Sequence, residues 1–294
     1  MSGFCENQLE RKPDSVRRKL IESATGANIA GCWTCSSCDL ECPVNIATNR
    51  LRPQVLVRLA TLGFFDELSK RPEIWYCMNC RRCIEVCPNR VKPSTVIEFA
   101  RDKIIRSDNT FRDAYQKYRR FFARFQRVRW RTVEICLKGE LDGMPESRWV
   151  EWLHTPVPEF DQCIKVGKME KATDLVAQTR INECFTCGEC GSACPISCER
   201  AVFEPRSIIR MAALGLTDFL VKSPNIWLCL GCGRCSDACG QSVDGFRMIR
   251  ELMDLAERKQ IVDKSFYVRV KRANRLIMTR FIDVSARLFG VPRC

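Results

Sequence analysis

Four runs of the form Cys-x-x-Cys-x-x-Cys-x-x-x-Cys carry the chemistry of this chain. They are Cys32, Cys35, Cys38 and Cys42; Cys77, Cys80, Cys83 and Cys87; Cys184, Cys187, Cys190 and Cys194; and Cys229, Cys232, Cys235 and Cys239. Thiolates are soft ligands that select zinc, copper(I) or iron–sulfur clusters. Structural zinc is ordinarily held by two separated Cys-x-x-Cys pairs, not by a compact run of four. Three cysteines at this spacing can instead cap three corners of a cubane, whose four irons each need one terminal thiolate. Sixteen thiolates imply four [4Fe–4S] clusters, and a row of redox centres is most simply an electron conductor. The single histidine, His154, lies outside every run, which excludes Cys-x-x-Cys-His haem attachment and Rieske ligation. The chain opens MSGFCENQLE without an apolar segment, so reduced thiols and a cytoplasmic location are expected rather than a secreted disulfide framework.

The runs resemble those of bacterial-type ferredoxins, and three of the four end in Cys-Pro, at Pro43, Pro88 and Pro195. In two-cluster ferredoxins the fourth cysteine of a run ligates the other cluster. That resemblance implies crossed ligation: Cys32, Cys35 and Cys38 with Cys87, and Cys77, Cys80 and Cys83 with Cys42. In the second half it implies Cys184, Cys187 and Cys190 with Cys239, and Cys229, Cys232 and Cys235 with Cys194. Five of the 21 cysteines remain outside the runs: Cys5, Cys136, Cys163, Cys198 and Cys294. Cys198 is matched in the first half by Ile46 and reads as structural.

The elements that must position these cysteines occur twice. At an offset of 152 residues, segment 58–77 (RLATLGFFDELSKRPEIWYC) aligns without a gap on 210–229 (RMAALGLTDFLVKSPNIWLC), with eleven of twenty positions identical. After Pro53, the apolar residues Val55, Leu56, Leu59, Ala60 and Leu62 fall at helical spacing, and Gly63 offers a stop or a close-packing point. Pro205, Ile208, Ile209, Ala212, Ala213, Leu214 and Gly215 repeat the pattern. The expected fold is mostly α: two tandem helical ferredoxin modules, each binding two clusters. Trp75 and Trp227, two residues before a cluster cysteine, read as core aromatics that screen the clusters. Arg82 and Arg234, each preceding a third cysteine, read as solvated. We expect a first module with a basic amphipathic helix over 1–140, a linker over 141–170 and a second module over 171–294. Residues 1–25 read as a surface arm.

A formal charge of +13 invites a nucleic-acid reading, but it counts every cysteine as neutral. Four cubanes with their thiolates carry roughly −2 each when oxidised, which leaves about +5. The basicity concentrates in 101–131, with eleven basic and three acidic residues, and in 258–280, with eight and one. Within the first, Phe111, Tyr115, Tyr118, Phe122, Phe125 and Val128 form an aromatic stripe at helical spacing. The stripe can pack on its own module, dock a partner protein or lie on a membrane surface. No nucleic-acid-reading module accompanies it, and no run of eighteen uncharged apolar residues marks a transmembrane helix.

The paired runs, joined by R-x-A-x-L-G…P-x-I-W-x-C, make each half similar to the C subunit of heterodisulfide reductase, over 30–105 and 181–257. Iron–sulfur subunits of succinate dehydrogenase and glycerol-3-phosphate dehydrogenase share the helical two-cluster architecture. The resemblance implies an electron-relay subunit with protein partners: a flavin-containing subunit of the A type and a cysteine-rich catalytic subunit of the B type. Related sets serve sulfur metabolism, quinone-linked complexes and benzoyl-CoA reduction. Two departures stand out, the doubling of the module in one chain and Gly240 in place of proline after Cys239. No dinucleotide fingerprint, P-loop or radical-type cysteine run is present, so no substrate site of its own is expected. An iron–sulfur redox sensor and a zinc-stapled basic nucleic-acid-binding module are the rival readings.

Overall fold

The computed structural model describes residues 12–140, 148–158 and 178–290. Cys5, Cys163, Cys294 and most of the expected linker lie outside the described residues. Those described form α-helices and short 3-10 turns, with no strand among them. Two compact units result. One runs to Asp113 and includes Phe289; the other is Ala114–Leu288.

In the first unit, α1 (Ser15–Thr25), α4 (Pro53–Thr61), α5 (Phe65–Lys70) and α7 (Pro93–Ser107) pack together. Proline opens α4 at its first turn, where its missing N–H costs nothing. The helix then buries Leu56, Val57 and Ala60 toward α7, which offers Val96, Ile97 and Ala100. Gly63 has φ +74, and a Cβ there would stand 2.1 Å from the carbonyl oxygen of Asp14. It is therefore both the stop and the close-packing point, since Asp14 N–H also donates to Leu62 O at 2.9 Å. This contact corrects the reading of 1–25 as an arm. From Asp14 onward the chain is built into the unit: the Asp14 carboxylate caps α1 by accepting from Val16 N and Arg17 N, and Ile21 is buried. A polar sequence hid a helix held by its cap, by buried Ile21 and by the bonds of Arg17 to Asp66 and of Ala30 N–H to Glu22.

The second unit repeats the plan with helices Pro205–Ala213, Thr217–Lys222 and Gly245–Arg258. Ile208, Ile209 and Ala212 are buried at positions equivalent to the apolar face of α4, and Gly215 has φ +77. It also holds α8 (Asn109–Lys138) from Ala114 onward, Arg148–His154 and Lys264–Leu288. Here the aromatic stripe is used. Phe125 is fully buried and stacks on Phe281 at 4.7 Å, with Tyr118, Phe121 and Phe122 around the same ring.

The basic face is used as well. Arg127 Nε binds both oxygens of Glu199 at 2.6 and 2.8 Å, and Arg131 donates to Pro156 O at 2.8 Å. Trp130 Nε1 donates to Asn225 Oδ1 at 3.1 Å, just ahead of the fourth cysteine run. The helix that the sequence joins to the first module thus packs, over most of its length, within the second unit. Thirty residues of helix extend about 45 Å, so chain proximity does not determine which core its far end meets.

Candidate metal centres

All four runs share one backbone device. The residues two after the first cysteine and one after the second have left-handed φ: Thr34 and Ser36, Asn79 and Arg81, Thr186 and Gly188, Gly231 and Gly233. Five of these eight are not glycine, and each pays about 1–2 kcal/mol for that conformation. Turns of this kind aim successive N–H groups into a concavity that suits anions and iron–sulfur sites. Asn79 N–H accordingly points to Cys77 Sγ and Gly231 N–H to Cys229 Sγ, each at 3.4 Å. One-turn helices then present the third cysteine: α2 (Ser37–Leu40) holds Cys38 and α6 (Arg82–Glu85) holds Cys83. Helices Glu189–Ala193 and Arg234–Asp237 do the same for Cys190 and Cys235. After the fourth cysteine of the first run, Pro43 opens α3 (Pro43–Thr48). After those of the second and fourth runs, Val91 N–H donates to Cys87 Sγ at 3.4 Å and Val243 N–H to Cys239 Sγ at 3.3 Å. Gly240 therefore leaves the local backbone as Pro88 does.

The thiols gather in rings. Cys38 neighbours Cys32 and Cys87, and a solvent-open hollow of about 370 Å³ is lined by Cys32, Cys35, Cys38 and Cys87. Cys42 faces Cys77 and Cys80, which also neighbour Cys83. In the second unit Cys190 neighbours Cys184, Cys187 and Cys239. Cys194, Cys229, Cys232 and Cys235 line the fourth site, a hollow of about 340 Å³. In each ring the fourth thiol comes from the other run. The helices carrying the third cysteines, α2 and α6, also pack on each other, as do their counterparts in the second unit.

Burial pushes the thiols of Cys38, Cys42 and Cys194 up to about 12 and that of Cys190 up to about 11, with neighbouring thiols adding to the shift. Cys83, Cys229 and Cys235 move up for the same reasons. Cys35 moves down, through a hydrogen bond with Ser37 Oγ at 3.3 Å. Four such thiolates can share a small space only around a cationic core, which bound iron supplies. Among the described residues no three His, Cys, Asp or Glu side chains converge as ligands of a single ion would. The described cysteines are all free thiols. Donor chemistry and N–H groups thus fit an iron–sulfur cube.

Other residues complete the surroundings. Trp75 is 3 % exposed and stacks on Phe289 at 3.7 Å and Phe111 at 6.2 Å, as expected of a screening aromatic. Trp227 is only half-buried and meets Phe266 edge-on at 4.7 Å. Arg82 is not simply solvated: it forms an ion pair with Glu41, tying the second run to the first. Cys198 donates to Ile196 O at 3.7 Å, and Cys136 is fully buried in α8. Trp33 and Phe185 follow the first cysteine of each unit, and both are 72 % exposed beside the exposed Cys35 and Cys187.

Three buried charges escape a reading by cysteine spacing. Asp39, 4 % exposed beside Cys38, accepts from Arg52 Nε at 3.1 Å and Gln54 N at 2.8 Å. Arg101 donates to Ile74 O and Cys77 O, both at 2.6 Å. Arg129 donates to Leu228 O at 2.8 Å and Gln126 Oε1 at 2.9 Å. The available signal is a charge set among apolar residues at helical spacing, as Arg101 is between Ile97, Ala100 and Ile104.

Comparison with known proteins agrees with this geometry. A 4Fe-4S dicluster domain model matches residues 9–92, and another 4Fe-4S dicluster domain model matches residues 159–243. The chain is 33% identical over 145 residues to the C 2 iron-sulfur subunit of the CoB–CoM heterodisulfide reductase of Methanocaldococcus jannaschii, covering 49% of this chain and 76% of that protein. It is 32% identical over 103 residues to the C subunit of the H(2):CoB-CoM heterodisulfide,ferredoxin reductase of Methanothermobacter thermautotrophicus, covering 32% of this chain and 55% of the relative. A protein of Archaeoglobus profundus that is like the C subunit of heterodisulfide reductase is 33% identical over 92 residues, covering 31% of this chain and 47% of its own. The chain spans about half the length of these last two relatives. No solved structure matches it. Among the described residues no helix is long and apolar enough to cross a membrane. Two dicluster domains in tandem give four [4Fe–4S] clusters, and with cysteine rings of one design in both units the chain belongs to the family of iron–sulfur proteins like the C subunit of heterodisulfide reductase.

Proposed function

We propose that this protein is the electron-transfer subunit of a cytoplasmic multisubunit oxidoreductase. It relays single electrons between a flavin-containing subunit of the heterodisulfide reductase A type and a cysteine-rich subunit of the B type or a quinone-linked one. The ligand sets are Cys32, Cys35, Cys38 with Cys87; Cys77, Cys80, Cys83 with Cys42; Cys184, Cys187, Cys190 with Cys239; and Cys229, Cys232, Cys235 with Cys194.

The observation that carries this reading is the interleaving of two thiol rings within each unit, each ring borrowing its last thiol from the other run. Interleaving brings the two centres of a unit side by side, which a relay requires and an isolated structural metal does not. Each cluster, when bound, takes up and releases one electron at little structural cost. The chain's part is to hold, tune and expose it. Backbone N–H groups at Asn79, Val91, Gly231 and Val243 donate to sulfur and favour the more negative, reduced state. Trp75, buried against Phe289 and Phe111, keeps water from the turn that leads into Cys77. Exposed Cys35 and Cys187, flanked by exposed Trp33 and Phe185, open the first ring of each unit toward a partner.

Anaerobic purification of the native complex tests the proposal. A flavoprotein and a cysteine-rich protein are expected to co-purify in fixed proportion. Isolation as a lone chain without either would refute it.

A further inference from the structure

The turn that leads into the second run of each unit is held by a buried guanidinium, and the two units obtain it from different places. In the first unit Arg101, 7 % exposed, comes from α7 and donates to Ile74 O and Cys77 O. At the equivalent position of the repeat, 152 residues on, stands Met253, so that position of helix Gly245–Arg258 supplies no guanidinium to the turn, although Arg250 on the same helix acts on Cys229. In the second unit the guanidinium is that of Arg129, 5 % exposed, from α8, a segment outside the aligned repeat. It donates to Leu228 O, next to Cys229. Two unrelated helices thus deliver the same group to the same turn.

Arg129 is a buried charge with neutral acceptors only, the Leu228 carbonyl and the Gln126 side-chain oxygen, while its Nε has no partner. A buried cation without a counter-charge is costly by several kcal/mol. A guanidinium keeps its charge even when buried, and the thiols nearest to it are Cys229, Cys194 and Cys198. Cys229 and Cys194 belong to one ring. Arg250 is a second cation acting on Cys229, and Glu199, beside Cys198, is already bound by Arg127.

We infer that Arg129 is the buried counter-charge of the cluster held by Cys229, Cys232, Cys235 and Cys194, and that it raises the reduction potential of this cluster above that of its neighbour in the same unit. The inference rests on the relay reading. The step is a one-electron exchange: the neighbouring cluster, on Cys184, Cys187, Cys190 and Cys239, is oxidised and this one is reduced, with no proton or bond changing hands. Reduction adds one negative charge beside the guanidinium, and the attraction favours the reduced form. Arg129 thereby directs electrons inward from the ring that opens at Cys187.

Potentiometric titration of the full chain, followed by electron paramagnetic resonance, tests this. The midpoint of interest is identified as the one that Cys194→Ser also moves. Arg129→Gln keeps a donor for Leu228 O but loses the charge. It is expected to make this cluster about tenfold harder to reduce, a fall of about 59 mV for one electron, while the other midpoints stay. Arg129→Lys keeps the charge and is expected to shift by less than threefold. Equal shifts in both variants, or none in Arg129→Gln, would overturn the inference. Wild-type protein labelled with an isotope at arginine nitrogen provides a readout without mutation: a hyperfine coupling on the reduced signal of this cluster is expected, and its absence overturns the assignment. Wild-type protein giving no iron–sulfur signal at all would refute the relay reading instead.

Discussion

Thr34, Ser36, Asn79, Arg81 and Thr186 hold positive φ without being glycine, while Gly188, Gly231 and Gly233 fill equivalent places in the second unit. Strain of this sort persists only where the surroundings over-determine it. What requires it here is the ring: the cysteines must point inward and the N–H groups with them. The same rings make the ligand crossing testable. Cys87→Ser is expected to remove or alter the paramagnetic signal of the cluster on Cys32, Cys35 and Cys38, and to lower the iron content by up to about four atoms. Loss of the signal of the Cys77, Cys80 and Cys83 cluster in its place would refute the crossing.

At the scale of elements, short helices locate the cysteines and long ones locate the rings. α4 is set against α1 by a contact that tolerates no side chain at Gly63. Gly63→Ala must place a methyl group against the Asp14 carbonyl in a left-handed conformation, and is expected to cost about 2–4 kcal/mol. Asp14→Ala, which removes the cap of α1 and an exposed ion pair with Arg17, is expected to cost about 1 kcal/mol. Urea unfolding of the iron-loaded protein compares the two, and a Gly63→Ala loss no larger than that of Asp14→Ala would show that the contact relaxes. The aromatic stripe of α8 was legible as an amphipathic face, with Phe125 and Val128 at its centre, but the sequence does not say which core it enters. Complementarity does: Phe281 and Trp149 supply the rings that Phe125 meets.

For the whole molecule, the charge and the cofactors belong together. A formal +13 falls to about +5 once four clusters with their thiolates are counted. Part of the remaining basicity is also internal, since Arg127 is paired and Arg129 and Arg131 donate to carbonyl oxygens. Reconstituted protein is expected to bind about sixteen iron and about sixteen sulfide per chain and to focus at a lower pI than the iron-free form. Zinc without sulfide would end the reading.

By itself the sequence determined the kind of metal centre and the duplication, and named the cysteines proposed as ligands, because cluster chemistry is written in short spacings that survive in any context. Helices such as α4 were legible for the same reason, through a proline start and a local apolar period. Only the tertiary structure decided that α1 is a packed helix, that α8 enters the second unit, and that Arg101 and Arg129 stand as buried charges at equivalent turns. Each of these depends on contacts between residues far apart in the chain, and a buried charge is recognised only by what surrounds it. Met253 shows the limit most plainly: the repeat loses its arginine there, and α8 restores the charge from more than a hundred residues away.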